Sequence, residues 1–222
     1  MRKIVTTADG TTSIHITETE EQYHSNHGAI LEANHVFIQS GLQYLISKTS
    51  KPISIFEMGF GTGLNCLLTC LASVKENISI HYTGIESSPV NLAEIEQLNF
   101  HTQLGIQKEE FLKLHQLEWE KKHQINDQFS FFKTREMLQN YSAKEKFDVI
   151  YYDAFGSQTQ PELWTRAITD KLFDMVQPNG VVVTYSAKGS FRRDLAASGF
   201  FVERITGPPG KRHMIRAVKQ TC

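Results

Sequence analysis

The sequence alternates short runs of β-branched and aromatic residues with stretches of helical periodicity, and this alternation limits the fold more than any other feature. The predicted strands are residues 53–58, 78–86, 128–132, 147–153 and 181–186. The predicted helices between them are residues 64–74, 90–98, 163–176 and 191–198. This order is typical of an α/β, Rossmann-like domain, in which a mostly parallel sheet carries helices on both faces.

Segments at both ends extend this pattern. Residues 4–7 and 12–16 flank a turn sequence and predict a small N-terminal β-hairpin. Residues 29–47 have the apolar spacing of an amphipathic helix, broken near Gly41. Residues 200–205 and 213–218 predict a C-terminal antiparallel hairpin. We expect an N-terminal hairpin and polar segment over residues 1–28, and the Rossmann-like domain over residues 29–222.

The composition fits one intracellular domain. The chain has 222 residues, of which 40% are hydrophobic, enough for the core of one α/β domain. Its longest apolar runs are far shorter than a bilayer span, and its first residues lack the apolar centre of a signal peptide. Cys66, Cys70 and Cys222 fit a reducing compartment better than a disulfide framework. We expect a cytoplasmic protein in which Cys66 and Cys70 are buried thiols rather than metal ligands.

The charge balance limits how the chain can bind nucleic acid. The formal net charge is −1, so any contact with RNA must rest on a local basic surface. Positive charge is clustered at Arg192-Arg193 and at Lys211-Arg212-His213, with Lys188 close to the first cluster in sequence. Such clusters are usually solvated surface, and contact with phosphate is the alternative.

A glycine-rich loop with Gly59, Gly61 and Gly63 separates the first predicted strand from its helix. In such sheets a nucleotide-like ligand binds at this turn, where backbone N–H groups converge and a Cβ would block close approach. A dinucleotide fingerprint needs glycine or alanine where Leu64 stands, and no Gly-Lys-Ser/Thr sequence of a P-loop follows. The loop therefore predicts a different cofactor, and a tight structural turn is the alternative.

The pattern acidic-x-Gly-x-Gly-x-Gly, which begins here at Glu57, resembles the first motif of the Rossmann-like S-adenosylmethionine-dependent methyltransferases. The resemblance implies S-adenosyl-L-methionine as cofactor, which carries no phosphate group. Glu86 ends the second predicted strand, where an acid can accept hydrogen bonds from both ribose hydroxyls. The loop, its strand context and Glu86 together predict a cofactor site.

Asp153 follows the fourth predicted strand and is the predicted catalytic residue. Methyl transfer from a sulfonium needs a nucleophile held in line with the methyl carbon, and an amine nucleophile must be unprotonated. A carboxylate at this strand end can orient such an amine and take its proton. A helix cap or an ordinary loop acid is the alternative.

Five segments narrow the resemblance. The chain is similar to the methyltransferase domain of the MnmC family, bifunctional enzymes that modify the tRNA wobble uridine, in YHSNHGAILEANHVFI, FEMGFGTGLN, YYDAFGSQTQPELWT, TYSAKGSFRRDLAASGF and GPPGKRHMIRA. These segments occur in this order and span most of the chain from Tyr23 onward. The 222 residues leave no room for the family's FAD-dependent oxidoreductase half. We therefore expect a stand-alone, MnmD-like methyltransferase half.

The resemblance implies a reaction. S-adenosylmethionine would donate a methyl group to the primary amine of 5-aminomethyl-2-thiouridine at the tRNA wobble position, giving 5-methylaminomethyl-2-thiouridine. The wobble base would be splayed out of the anticodon loop and stacked on aromatic side chains. Phe155, Tyr185 and Trp164 are candidates, with core packing favoured for Trp164. A separate enzyme would supply the aminomethyl precursor, and neither a metal nor a membrane is expected as a partner.

The resemblance also implies site residues. Those expected to bind the cofactor are Tyr23, Asn26, Glu57, Gly59, Phe60, Gly61, Gly63, Leu64, Asn65, Glu86, Thr134, Asp153, Ala154 and Phe155. Those expected to bind the substrate are Phe155, Tyr185, Ser186, Lys188, Arg192, Lys211 and Arg212. After the third strand the family shows an acid that can accept from the adenine amino group, whereas this chain has Thr134 there and Glu136 two positions on. The contact that holds adenine is left open.

Other functions fit parts of the sequence. An enzyme of the same fold acting on a small amine or a protein suits the near-neutral charge, and a polyamine synthase also has an aspartate after the fourth strand. A binding module without catalysis would keep the glycine loop but would not need Asp153. A metal site at His24, His27 and His35 would have irregular spacing and no Cys or carboxylate partner of the expected kind.

Overall fold

The computed structural model describes residues 1–48 and 51–221, and Cys222 lies outside the described residues. A small antiparallel sheet at the N-terminus contains β1 (Arg2–Thr6), β2 (Thr12–Ile16) and β3 (Glu21–Gln22). The central sheet contains β4 (Ile53–Met58), β5 (Ile80–Ile85), β6 (Lys122–Asn126), β7 (Phe129–Thr134), β8 (Phe147–Tyr152), β9 (Val176–Thr184), β10 (Phe201–Thr206) and β11 (His213–Val218). The predicted hairpins at both ends of the chain are confirmed.

Helices cover both faces of the central sheet, and a separate cluster of buried apolar residues lies between the sheet and the helices on each face. One face carries α1 (Ala29–Ala33), a π-helical segment (Asn34–Gln43), α2 (Tyr44–Ile46), α3 (Leu64–Lys75), α4 (Leu92–Ile95), α5 (Phe100–Leu104) and α6 (Lys108–Gln116). The other carries a 3₁₀ turn (Pro161–Leu163), α7 (Arg166–Met175) and α8 (Gly189–Ala197). No helix within the described ranges is both long and apolar enough to cross a bilayer.

The strand order of the central sheet reverses at one position, between β4 and β8. Across the sheet the order is β10-β11-β9-β8-β4-β5-β7-β6. The pairs β4–β5, β4–β8, β5–β7 and β8–β9 are parallel, whereas β6, β10 and β11 pair antiparallel. From β4 the chain builds one half of the sheet through β5 and then crosses to β8. Open α/β sheets bind their ligands where the order reverses in this way, which here lies between β4 and β8.

The structure contains elements that the sequence did not predict. The edge strand β6, Lys122–Asn126, is polar and is held in place by its antiparallel pairing with β7. Helix α6 buries only Phe111 and Leu114, so its apolar periodicity is too sparse to be read from the sequence. Helix α5 is only one short turn and was also missed. Strand β9 begins at Val176 rather than at residue 181, because pairing with Phe147 draws an apparent turn sequence into the sheet.

The predicted helix break near Gly41 is wrong. The helical path continues from Ala29 to Ile46, with π-type hydrogen bonding over Asn34–Gln43. Gly41 faces the sheet, where an added Cβ would lie 3.0 Å from Val183 Cγ2 and 3.2 Å from Tyr151 Cε1. Glycine at this position therefore allows the helix to approach β8 and β9 closely, and it does not end the helix.

The N-terminal sheet lies against the Rossmann-like domain. Ile14 is fully buried in the same apolar cluster as α3. The Asn99 side chain bonds the turn between β1 and β2, accepting the Thr12 N–H at 2.8 Å and donating to the Gly10 carbonyl at 2.9 Å. Residues 1–28 therefore share a core with the rest of the chain, and the domain division at residue 28 stays a prediction.

Replacing Gly41 by valine is expected to destabilise the fold by about 1–3 kcal/mol, since overpacking a closed helix–sheet contact forces neighbouring groups apart. The matched control is Gln39→Val, which adds a β-branched residue to the exposed side of the same helix. Urea unfolding followed by circular dichroism measures both variants. Equal stabilities of the two variants would contradict the close helix–sheet approach.

Candidate functional site

A cleft of about 390 Å³ opens beyond the carboxyl ends of β4, β5 and β8, where the strand order reverses. Its walls are the glycine loop after β4, Glu86 after β5, the chain that follows β8, and the polar segment over residues 20–26. Ligand sites for small molecules typically measure about 300–1,000 Å³. The cleft is therefore large enough for a cofactor of nucleoside size.

The glycine loop passes unusually close to the chain after β8. Gly59, Gly61 and Gly63 all have positive φ, at 89°, 47° and 71°. A Cβ on Gly59 would lie 2.5 Å from the backbone oxygen of Asp153. The Asp153 N–H donates to the Met58 carbonyl at 3.0 Å, which joins the two strand ends directly. The bare backbone thus brings the cofactor loop and the candidate catalytic residue side by side.

Glu86 is fixed at the cleft end of β5 by two backbone donors. Its carboxylate accepts the Gly61 N–H at 3.0 Å and the Ser88 N–H at 2.8 Å. A carboxylate has about four acceptor positions, so two of them remain for a ligand. Glu86 lines the cleft, where it has the position and the free acceptor capacity for the ribose hydroxyls of an adenosyl group.

Two histidines hold the glycine loop from opposite sides through Thr62. His24 Nε2 lies 3.2 Å from the Thr62 hydroxyl while its Nδ1 lies 2.9 Å from the Ser13 hydroxyl on β2. His115 Nε2 lies 3.1 Å from the Thr62 carbonyl. Burial lowers the pKa of His24 to about 4 and, with the nearby Lys133 ammonium, that of His115 to about 3. Both rings are therefore neutral at physiological pH, and they position the loop without adding charge.

Asp153 has one oxygen bonded to the protein and one facing the cleft. Asn65 Nδ2 donates to Asp153 Oδ2 at 2.8 Å. Among the described residues, Oδ1 has no hydrogen-bond partner, and Asp153 lines the cleft. Burial raises the pKa of Asp153 to about 7, against the opposing effect of the Asn65 hydrogen bond. A carboxyl group with a pKa near neutrality is suited to accept a proton at physiological pH.

The charge of the cleft is strongly acidic. Its carboxylates belong to Glu20, Glu21, Glu32, Glu86, Glu136, Asp153 and Glu162. Among the described lining residues, Lys211 is the only lysine or arginine. Such a site favours a cationic ligand, which a sulfonium compound or a protonated amine would be. The charge of the walls therefore fits S-adenosylmethionine.

Most of the predicted site residues meet in this cleft. Those that line it are Tyr23, Asn26, Gly59, Phe60, Gly61, Leu64, Asn65, Glu86, Asp153, Ala154, Phe155, Tyr185 and Lys211. Asn65, which the sequence assigns to the cofactor, hydrogen-bonds Asp153. The lining also contains Glu32, which the sequence did not indicate as a site residue, because no motif joins a helix acid near the N-terminus to Lys211 just before β11.

Other predicted site residues lie outside the lining. Glu57 is fully buried, and burial raises the pKa of its carboxyl group well above the usual range. Gly63 packs against the His115 ring. Ser186 and the basic residues Lys188, Arg192 and Arg212 are on the outer surface near β9, α8 and the β10–β11 hairpin. A contact between these residues and the substrate would require a ligand larger than the cleft.

Thr134 is buried at the end of β7, and its carbonyl accepts the Glu86 N–H at 3.1 Å. Its hydroxyl does not line the cleft, whereas Glu136 does, followed by Met137 and Leu138. Among the described residues that line the cleft, Glu136 is therefore the acid nearest in sequence to the end of β7.

The aromatic candidates divide between cleft and core. Phe155 lines the cleft and contacts Tyr23 edge to face, with ring centroids 5.0 Å apart. Tyr185 also lines the cleft. Trp164 is 5% exposed and packs on Phe191 with centroids 4.7 Å apart, while its Nε1–H donates to the Phe155 carbonyl at 2.8 Å. Trp164 is thus a core residue, and its hydrogen bond to the Phe155 carbonyl helps to hold Phe155 at the cleft.

Cys66, Cys70, His24 and His35 are engaged within the fold. Cys66 and Cys70 are buried thiols, as predicted, and burial raises the pKa of Cys70 to about 11. Within residues 1–48 and 51–221, no group of three His, Cys, Asp or Glu side chains is placed to hold a metal ion. His24 is engaged by Ser13 and Thr62, and His35 Nε2 lies 2.9 Å from the Thr206 carbonyl.

Replacing Gly61 by alanine is expected to abolish cofactor binding, because the new Cβ would lie 3.1 Å from the Tyr23 ring at a φ of 47°. The matched control is Gly105→Ala, which has a φ of 66° but nothing within 4 Å of the added Cβ. Both variants carry a similar backbone strain of about 1–2 kcal/mol. Calorimetric titration with S-adenosylmethionine separates them, and equal affinities would show that the loop does not contact the cofactor.

Known proteins similar to this chain were found by sequence and by structure. The bifunctional protein MnmC of tRNA 5-methylaminomethyl-2-thiouridine biosynthesis from Aeromonas hydrophila is 28% identical over 92% of this chain and 34% of its own length. The same protein from Leptospira interrogans is 28% identical over 90% of this chain and 33% of its own length. The chain thus spans about a third of these relatives. They confirm the resemblance to the MnmC family seen in the five segments.

A solved structure, MNMC2 from Aquifex aeolicus, matches with a TM-score of 0.77 and 23% identity over 100% of this chain and 72% of that chain. This likeness confirms the fold. The sequence profile of the S-adenosyl-L-methionine-dependent methyltransferases matches residues 97–220, which is more than half of the chain. The chain therefore belongs to the S-adenosyl-L-methionine-dependent methyltransferase family.

Proposed function

We propose that this chain methylates the primary amine of a 5-aminomethyl-2-thiouridine at the wobble position of tRNA, giving 5-methylaminomethyl-2-thiouridine. The observation that carries the proposal is Asp153, a carboxyl group with a pKa of about 7 that faces the cleft directly beside the cofactor loop. The names of the MnmC relatives point to the acceptor. Methyl transfer does not create the aminomethyl group, so we propose that another activity supplies it.

The cofactor would be held by the residues that line the cleft on the side of β4 and β5. Gly59 and Gly61 would provide open backbone, Glu86 would accept from the ribose hydroxyls at its two free positions, and Glu136 would accept from the adenine amino group. When bound, S-adenosylmethionine supplies a methyl group on a sulfonium, which needs no further activation. The task left to the protein is to place the nucleophile and handle its proton.

Asp153 would perform both parts of that task. Its free Oδ1 can accept a hydrogen bond from the amine, while Asn65 prevents the carboxylate from rotating away. On methylation the amine nitrogen would have to lose one proton, and Asp153 would accept it. A base of pKa about 7 is ionised often enough to accept this proton and releases it readily to solvent.

The rest of the tRNA would lie on the surface outside the cleft. The wobble nucleotide would enter the cleft, where Phe155 would stack on its base and Tyr185 would lie beside it. Exposed Lys188, Arg192 and Arg212 lie beyond its edge and would meet phosphate groups of the anticodon loop. This local basic surface reconciles an RNA substrate with a net charge of −1. A tRNA substrate also implies a cytoplasmic location.

A transfer assay tests the proposal directly. The protein is incubated with labelled S-adenosylmethionine and with tRNA that carries 5-aminomethyluridine, with or without 2-thiolation, and the nucleosides are analysed by mass. We expect a new 5-methylaminomethyl nucleoside. Label on small amines or protein, with tRNA unlabelled, would replace this function with that of a different amine methyltransferase.

Asp153→Asn is expected to lower kcat by about 10²–10⁴-fold, because the amide cannot accept the proton. The affinity for S-adenosylmethionine should stay close to that of the unaltered protein, since the amide can still bond Asn65. In the unaltered protein the rate should rise with pH through about 7, as Asp153 ionises. Steady-state kinetics from pH 6 to 9 measure this. Full activity of the variant would remove Asp153 from the reaction.

The double variant Arg192→Gln, Arg212→Gln is expected to bind tRNA more weakly, because it releases fewer counterions. The slope of log affinity against log salt concentration should fall in magnitude by about two. Lys121→Gln, near the opposite edge of the sheet beside β6, is the control. Filter binding at salt concentrations from about 50 to 200 mM measures this slope, because phosphate contacts weaken strongly over that range. An unchanged slope in the double variant would show that Arg192 and Arg212 do not contact tRNA phosphates.

A further inference from the structure

Lys211 lies inside the cleft, although its sequence neighbours suggest an exposed basic cluster. Its Nζ donates to Glu32 Oε1 at 2.7 Å and lies 3.9 Å from the centroid of the Tyr185 ring. Lys211 lines the cleft, whereas the adjacent Arg212 is exposed and does not. The structure thus separates two cations that the sequence places together.

The position of the Lys211 ammonium is fixed by groups that are themselves held in place. Glu32 is only 9% exposed, and its second oxygen accepts the Ser25 N–H at 2.7 Å. The hydroxyl of Tyr185 donates to the Ala154 carbonyl at 2.9 Å. An ammonium group has three protons. One is used by Glu32 and one faces the Tyr185 ring, which leaves one for a ligand in the cleft.

This remaining donor lies on the acceptor side of the cleft. Tyr185 is tied to Ala154, which directly follows Asp153, so the ammonium over its ring is close to the end of β8. The glycine loop and Glu86 form the other side. The free donor of Lys211 is thus on the Asp153 side of the cleft, where the proposed methyl acceptor would lie, and away from the residues proposed for the adenosyl group.

We propose that Lys211 reads the O4 oxygen of the wobble uracil and so determines that the enzyme accepts uridine and rejects cytidine. This inference rests on the proposed function. In uracil, O4 is attached to the ring carbon next to C5, so a base whose C5 aminomethyl group reaches Asp153 presents O4 near the same strand end. Cytosine carries an amino group at that position, which is a hydrogen-bond donor.

The discrimination follows from hydrogen-bond chemistry. With uracil, the free Lys211 proton meets an acceptor, and the bond is assisted by charge. With cytosine, two donors face each other, and the Lys211 proton is left without a partner in a partly buried site. A hydrogen bond to a charged group contributes about 1.5–3 kcal/mol, so the loss corresponds to about 10- to 150-fold in kcat/KM.

The test compares two anticodon stem-loop RNAs that differ only in the wobble nucleoside, 5-aminomethyluridine or 5-aminomethylcytidine. We expect the unaltered protein to prefer the uridine RNA by about 10- to 150-fold in kcat/KM. In Lys211→Met, kcat/KM for the uridine RNA should fall by a similar factor and the preference should drop to within about threefold. Affinity for S-adenosylmethionine, measured by calorimetry, should not change.

A second variant controls for the charge left on Glu32. Lys211→Met leaves that buried carboxylate without its partner, which can destabilise the fold. The pair Glu32→Gln, Lys211→Met removes both charges and should show the same loss of base preference in a stable protein. Arg212→Gln is the matched control for a neighbouring cation, and it should weaken both RNAs equally without changing their ratio.

The possible results separate this inference from the function on which it rests. If the unaltered protein methylates neither RNA, the proposed function fails and the inference falls with it. If it methylates the uridine RNA but the Lys211 variants keep the full preference, the function stands and Lys211 does not read the base. If Arg212→Gln removes the preference instead, Arg212 rather than Lys211 distinguishes uridine from cytidine, and the inference is wrong.

Discussion

The site depends on one close approach, where the glycine loop after β4 passes the backbone after β8. The Asp153 N–H bonds the Met58 carbonyl, and the Asp153 carbonyl lies where a side chain on Gly59 would have to stand. This approach occurs at the position where the strand order reverses, which is where a sheet of this class opens a crevice. It places the glycine loop and the Asp153 carboxyl group in one cleft, where the proposed cofactor and acceptor would meet.

The N-terminal residues complete the cleft from outside the central sheet. His24 bonds Ser13 of the small sheet and Thr62 of the glycine loop, and Glu32 of α1 bonds both the Ser25 backbone and Lys211. Both links are buried or partly buried, where polar contacts are costly to break. Residues 1–28 therefore act as a wall of the site. The loop conformation, the acceptor side of the cleft and the N-terminal sheet form one connected structure.

The sequence predicted the parts of the site that local patterns encode. Gly59, Glu86 and Asp153 each follow a strand, and the carboxyl ends of parallel strands meet at one edge of a sheet. The tertiary contacts that complete the site could not be predicted from the sequence. Glu32 and Lys211 are separated by 179 positions, and no spacing rule pairs a helix acid with a hairpin lysine. Strand β6 was missed because its sequence is polar and its pairing with β7 is tertiary. Gly41 was misread because glycine serves a helix–sheet contact as readily as a helix end.

If the cleft presents the acceptor amine to Asp153, a structure of the ternary complex will show the two groups in contact. The protein would be crystallised with S-adenosylhomocysteine and an anticodon stem-loop that carries 5-aminomethyluridine at the wobble position. We expect the flipped base against Phe155, with its amine nitrogen about 2.6–3.2 Å from an Asp153 carboxylate oxygen. A wobble base that stays stacked in the loop, or an amine held away from Asp153, would remove Asp153 from the reaction.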